Sequence, residues 1–187
     1  GAIGANLTTL MTVTSPGDHV VVMEPNYQQL WGLVQNVQRQ LSTFVLKEEL
    51  GWGVDVDELK QAVRPRTKLI TVVNPNNPTG HIMTSAERSA VIEAAAQADA
   101  FLLADELYCG TERITDEITP TFYGEYDKVL AVHSLSKAFG LPGLRIGWVV
   151  GPADVISDMW AWQDYTTIGS GIIDNRLAAI AVNPTTR

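Results

Sequence analysis

The feature that most constrains this chain is an alternation between short apolar runs and longer segments with helical spacing. Leu69-Ile70-Thr71-Val72-Val73 and Ala100-Phe101-Leu102-Leu103-Ala104 have no polar face, the pattern of strands buried on both sides of a mostly parallel sheet. Residues 19–23 and 41–46 are further strand candidates, and 129–133 and 145–150 add two more. Helical periodicity falls at 4–14, 27–37, 56–63, 84–98, 154–165 and 175–182. Strand, helix and strand in repeated succession require crossover connections, so the predicted class is α/β, a mostly parallel mixed sheet flanked by helices. The link between 129–133 and 145–150 is too short for a helical crossover, which leaves that pair either antiparallel or merely adjacent.

The 187 residues suffice for one domain with a real core, and no linker or internal repeat divides them. Thirteen Lys and Arg against 21 Asp and Glu leave a formal charge of -8, a surface that repels phosphate backbones and argues against non-specific nucleic-acid binding. No apolar run approaches the roughly 20 residues of a membrane helix, so no membrane partner is expected. Cys109 is the only cysteine, which excludes an internal disulfide and an all-cysteine metal cage and fits a reducing cytoplasm. Gly1 is not a start methionine and the first residues read as the middle of a fold, so a piece of a longer chain is expected.

In open α/β sheets ligands bind beyond the carboxyl ends of the strands, and four such ends are polar here. They are Glu24-Pro25-Asn26-Tyr27, Asn74-Pro75-Asn76-Asn77-Pro78-Thr79-Gly80, Asp105-Glu106-Leu107-Tyr108 and Ser134-Leu135-Ser136-Lys137. The last matches a Ser-x-x-Lys nucleophile signature, but its partner motifs are missing and Gly140-Leu141-Pro142-Gly143 would break the helix it needs. No phosphate P-loop and no dinucleotide glycine fingerprint is found. His19, His81 and His133 lack ligand spacing and read as strand-end or surface residues, so no metal is expected.

A lysine after one strand, an aspartate after another and an Asn-Pro loop after a third form a recognisable set. With Asn77-Pro78-Thr79-Gly80, Asp105-Glu106-Leu107-Tyr108, Ser134-Leu135-Ser136-Lys137 and Gly143-Leu144-Arg145-Ile146-Gly147 in order, the chain resembles pyridoxal-phosphate aminotransferases of fold type I, classes I and II, over nearly all of its length. The resemblance implies the large, cofactor-binding domain of that fold across 1–187, with pyridoxal 5'-phosphate as cofactor. It makes Lys137 the amine that holds the cofactor as a Schiff base, a role suited to a lysine desolvated in a cleft. Asp105 becomes the carboxylate that keeps the ring nitrogen protonated. Asn77 and Tyr108 would donate to the phenolic oxygen, and Tyr27 would stack on the ring. Arg145, with Ser134 and Ser136 beside it, would grip the phosphate, joined by the backbone of Ala2 and Ile3 at a helix start. The family often has a hydroxyl or Gly where Ile3 stands, so only backbone contact is expected there.

Taken singly, each residue has a plainer reading. Asp105 could be a helix N-cap, Asn77-Pro78-Thr79-Gly80 a turn, Tyr27 a core aromatic and Lys137 a solvated charge. The five tryptophans read as core or interface and Cys109 as a small buried hydrophobe, while Glu106 and Arg113 receive no role. The resemblance implies transamination between an amino acid and a 2-oxo acid by a homodimeric parent protein. The alternatives are a lyase or amino-acid cyclase using the same cofactor, or a non-catalytic, aminotransferase-like regulatory domain. Family members continue into a small domain bearing a substrate-carboxylate arginine, which neither Arg176 nor Arg187 matches. The fragment alone is therefore expected to bind cofactor weakly and to lack turnover.

Overall fold

The computed structural model describes residues 1–186. Its centre is a six-stranded sheet formed by β1 (His19–Glu24), β2 (Gln40–Val45), β3 (Thr67–Val73), β4 (Phe101–Asp105), β5 (Val129–Ser134) and β6 (Gly147–Val150). The spatial order is β2-β1-β3-β4-β5-β6. All neighbours run parallel except β5 and β6, which pair antiparallel with Ser134 opposite Gly147. The short connection thus makes a true antiparallel pair. The helices are α1 (Ala2–Val13), α2 (Gln29–Asn36), α3 (Val56–Ala62), α4 (Ser85–Gln97), α5 (Ala153–Asp164) and α6 (Ile172–Ala181).

Burial explains the strand sequences. In β1, β3, β4 and β5 nearly every side chain is buried, as continuous apolar runs covered on both faces must be. Edge strand β2 is largely half-exposed and mixes polar with apolar residues. Local chemistry starts two of the helices. Asp55 accepts from the N–H groups of Asp57 and Glu58 to begin α3, and Thr84 and Glu87 form a reciprocal capping box at α4. Arg88 on α4 reaches the carbonyls of Pro120 and Thr121 at 2.9 and 2.8 Å and lies 3.9 Å over the Phe122 ring, tying down the segment before β5.

Three boundaries differ from the sequence reading in ways that matter. The first helix starts at Ala2, so its first turn reaches the sheet edge. Tyr27 precedes α2 and stays outside the helix. Arg145 is excluded from β6 and instead ends a 3-10 turn, Pro142–Leu144, in the left-handed region at φ 52°. Side-chain apolarity cannot reveal a backbone turn of that kind, because it is set by where the chain must go next.

Gly147 shows how closely α1 approaches the sheet. A Cβ there would lie 2.6 Å from the Ala2 nitrogen, 2.8 Å from the Gly1 carbonyl carbon and 2.8 Å from the His133 carbonyl oxygen. All three are backbone atoms that cannot rotate away. Gly147→Ala is expected to cost about 1–3 kcal/mol of stability as α1 is pushed off β6; an unchanged denaturation midpoint would contradict this packing.

At the opposite end of the strands, His19 is buried, with Nδ1 2.8 Å from the Thr67 hydroxyl and Nε2 2.9 Å from the Ser42 hydroxyl, bridging β3, β1 and β2. Burial, with a smaller push from the Arg64 guanidinium, lowers its pKa below the ordinary 6.5. The unfolded chain then binds a proton that the folded one refuses, so stability falls as the pH drops below about 6.5. Melting curves between pH 7.5 and 5 should show this slope reduced in His19→Gln; parallel curves for the two proteins would refute it.

Candidate active site

The strand order reverses between β1 and β3, the point at which an open α/β sheet splays its loops apart and leaves a crevice. A cavity of about 200 Å³ opens at this edge, lined by Ala2, Ile3, Tyr27, Asn77, Asp105, Tyr108, Ser134, Ser136, Lys137 and Arg145 together with further residues. All ten positions singled out from the sequence, spread from residue 2 to residue 145, therefore meet in one place. Asn6, Gln29, Val73, Leu107 and Pro142 complete the lining.

Each strand end delivers its side chain for a local reason. β4 stops at Asp105, which is 3 % exposed; its Oδ1 accepts from the Leu107 N–H at 3.2 Å and its Oδ2 from the Asn6 amide at 3.1 Å. Burial pushes this carboxyl's pKa up, against the pull of Asn6, the Leu107 N–H and the His133 charge, and Glu106 adds to the rise. β5 stops at Ser134, whose hydroxyl accepts from the Ser136 N–H at 3.1 Å, and the chain then turns without forming a helix. Lys137 lies in this turn with Nζ 5.4 Å from the centre of the Tyr108 ring, and Gly140 closes it at φ 64° through an N–H bond to the Lys137 carbonyl.

The Asn-Pro loop sorts its three asparagines by burial. Asn74 holds the Met83 N–H at 2.9 Å, while Asn76 donates to the Pro25 carbonyl at 3.1 Å and accepts from Thr79. Both are buried structural residues, and Asn77 is the one left facing the cavity. Arg145 donates from Nη1 to the Pro142 carbonyl at 2.8 Å, and a Cβ on Gly1 would come within 3.3 Å of Nη2, which places the guanidinium beside the first turn of α1. A guanidinium and the N–H groups of a helix start converge there, a combination suited to a phosphate. The αL backbone of Arg145 is uncommon for a non-glycine residue and is held by the neighbouring turn.

Lys137 is exposed at the cavity. Tyr27 is also exposed, as an aromatic at the cavity mouth and not a core residue. Among the tryptophans, Trp31 and Trp52 pack on the core, Trp148 stacks on His133 at 5.8 Å, Trp162 meets Tyr165 edge-on, and Trp160 is largely exposed. Cys109 is half-buried, its thiol pushed up to about 12 chiefly by burial and also by Glu106 and Glu112, which keeps it protonated and unreactive. Arg176 is exposed on α6, and Arg187 lies outside the described residues.

Sequence reasoning missed a layer behind the cavity. Glu106, given no role, is 1 % exposed; its Oε1 accepts from the Phe122 N–H at 2.6 Å and its Oε2 lies 2.8 Å from His133 Nε2. Asn6 and Gln29 were likewise unmarked, since a polar residue on a helix gives no sign that it faces a site. Among the described residues no three His, Cys, Asp or Glu side chains group as a metal centre, and no helix is long and apolar enough to cross a membrane.

The donor set fits pyridoxal phosphate on its own terms. A buried carboxyl with raised pKa calls for a cationic partner, which a protonated pyridine nitrogen would be. An amine and a basic, N–H-rich anion site line the same cavity. The fold and this set of side chains define the pyridoxal-phosphate-dependent transferase class. The chain belongs to the aminotransferase class I and II family, whose model matches residues 1–185.

Among similar proteins, capreomycidine synthase of Streptomyces vinaceus is 36 % identical over 168 residues, covering 88 % of this chain and 42 % of its own length. A PLP-dependent aminotransferase from Streptococcus suis superposes with a TM-score of 0.89 at 39 % identity, covering 95 % of this chain and 47 % of that one. Aspartate aminotransferase from Thermus thermophilus superposes with a TM-score of 0.92 at 26 % identity over all of this chain and 49 % of its own. The chain spans less than half the length of these relatives.

Proposed function

We propose that the full-length protein is an aminotransferase that moves an amino group from an amino acid to a 2-oxo acid, and that residues 1–187 are its cofactor-binding large domain. The observation that carries this reading is the convergence of Lys137, Asp105 and Arg145, far apart in sequence, on one cavity at the carboxyl edge of the sheet. When bound, pyridoxal phosphate supplies an aldehyde that condenses with amines and a cationic ring that withdraws electrons from the bond being broken.

The chain's own residues do the rest. Arg145, the first turn of α1, Ser134 and Ser136 hold the phosphate. Tyr27 covers a ring face, and Asn77 and Tyr108 donate to the phenolic oxygen. Asp105 keeps the ring nitrogen protonated, and pairing with that cation offsets the burial that otherwise raises its pKa. Lys137 Nζ would anchor the cofactor and, as a free amine, would move a proton at the substrate Cα. We extend the reading to a homodimer in the cytoplasm, supported by family membership and by a sequence with a single cysteine.

Similarity to capreomycidine synthase at 36 % identity favours a second reading, a lyase or amino-acid cyclase using the same cofactor site. Incubating the full-length protein with amino acids and 2-oxo acids separates the two. Transamination yields a second amino acid from the acceptor; product formed with no acceptor consumed would establish the other reaction.

A further inference from the structure

Asn6 and Gln29 close a chain of hydrogen bonds that runs along the cavity. Gln29 Nε2 donates to the Ile3 carbonyl at 2.7 Å. Asn6 Nδ2 donates both to Gln29 Oε1 at 3.3 Å and to Asp105 Oδ2 at 3.1 Å, using both of its N–H groups. The chain thereby links the first turn of α1, the start of α2 two residues beyond Tyr27, and the end of β4, with 99 positions of sequence between Asn6 and Asp105.

Resting on the cofactor assignment above, we infer that Asn6, braced by Gln29, is a positioning residue that fixes the Asp105 carboxylate relative to the anion-binding turn of α1. The two ends of the cofactor slot, phosphate and ring nitrogen, are then set at a fixed spacing before the cofactor enters. Asp105 receives one protein donor on each oxygen, and each oxygen keeps acceptor capacity for a ring N–H. The Asn6 donor also favours the ionised carboxylate, opposing its burial. An ordinary packing role does not account for Asn6, which is 2 % exposed and whose Oδ1 has no hydrogen-bond partner among the described residues. A buried amide half satisfied in this way is a poor choice for stability alone.

The test uses the full-length protein and its Asn6→Leu, Gln29→Met and double variants, titrated with pyridoxal 5'-phosphate while the visible absorption is followed. Borohydride-fixed adducts are mapped by peptide mass spectrometry. Every form should carry the adduct on Lys137. Asn6→Leu should weaken cofactor binding roughly ten- to hundredfold, the range for a hydrogen bond to a charged group, and should shift the absorption maximum as the ring nitrogen is held less firmly protonated. Gln29→Met should weaken binding a few-fold, and the double variant should bind no more weakly than Asn6→Leu alone, since the two act through one path. An unchanged dissociation constant and spectrum in Asn6→Leu, or fully additive losses, would overturn the inference. If Asn6→Leu fails to fold, the half-exposed Gln29→Met decides, and unaltered binding there overturns it. A wild-type protein with no adduct on Lys137 would instead bring down the cofactor assignment and the inference with it.

Discussion

Replacing Lys137 with alanine in the full-length protein is expected to abolish both the covalent cofactor adduct and turnover. The turn after β5 presents one amine to the cavity, and among the cavity-lining residues Lys137 is the only lysine. Tyr108 and Arg145 can hydrogen-bond or attract a cofactor, but neither carries an amine that condenses with an aldehyde. Loss of the proton carrier alone removes about 10²–10⁴ in rate, and loss of the anchoring amine adds to it. The phosphate end of the site stays intact, so the variant should still take up cofactor non-covalently. Absorbance after borohydride treatment and gel filtration checks this. An adduct retained on another lysine would overturn the assignment.

The second large effect is expected at Asp105, and it has two opposite signs. Asp105→Asn should lower turnover by about 10²–10³-fold or more, because the ring nitrogen loses its anionic partner where charge develops. The same variant should melt higher than the wild type when both are free of cofactor at neutral pH. Burial raises the Asp105 pKa above 3.8, so in the intermediate range the folded state binds more protons than the unfolded one. The stabilising neutral form is complete below pH 3.8 and is lost as the pH rises through the folded pKa, and asparagine avoids that loss. The melting advantage should therefore shrink as the pH falls toward 4. Saturation with pyridoxal phosphate should reverse the order, since only the carboxylate gains a cationic partner. Equal melting points for the cofactor-free proteins at pH 7 would mean that Asp105 is better solvated than its 3 % exposure implies.

Much of the architecture was legible because burial writes itself into sequence. Continuous apolar runs at 69–73 and 100–104 marked strands covered on both faces, and helical spacing at 84–98 marked α4 to within a residue at each end. The site residues were legible for a different reason. Seven of the ten lie at a strand end or within a few residues after one, whereas Ala2, Ile3 and Arg145 do not, and their chemistry is unusual in combination. What stayed hidden depended on neighbours distant in the chain. Glu106 received no role from the sequence, and only the fold buries it against His133 and the Phe122 N–H. Asn6 went unmarked in the sequence, and only the fold brings it to Asp105.

By itself, the order of residues determined the α/β class and the approximate positions of the strands, because periodicity is a local property, while the family resemblance singled out the side chains that line the cavity. The tertiary structure alone decided that β5 and β6 pair antiparallel, that Arg145 lies outside the strand in an αL turn, and that Asn77 and not Asn74 or Asn76 faces the cavity. Those outcomes turn on close approaches between segments remote in sequence, such as α1 against Gly147. A side-chain pattern carries no record of such an approach until the chain has packed.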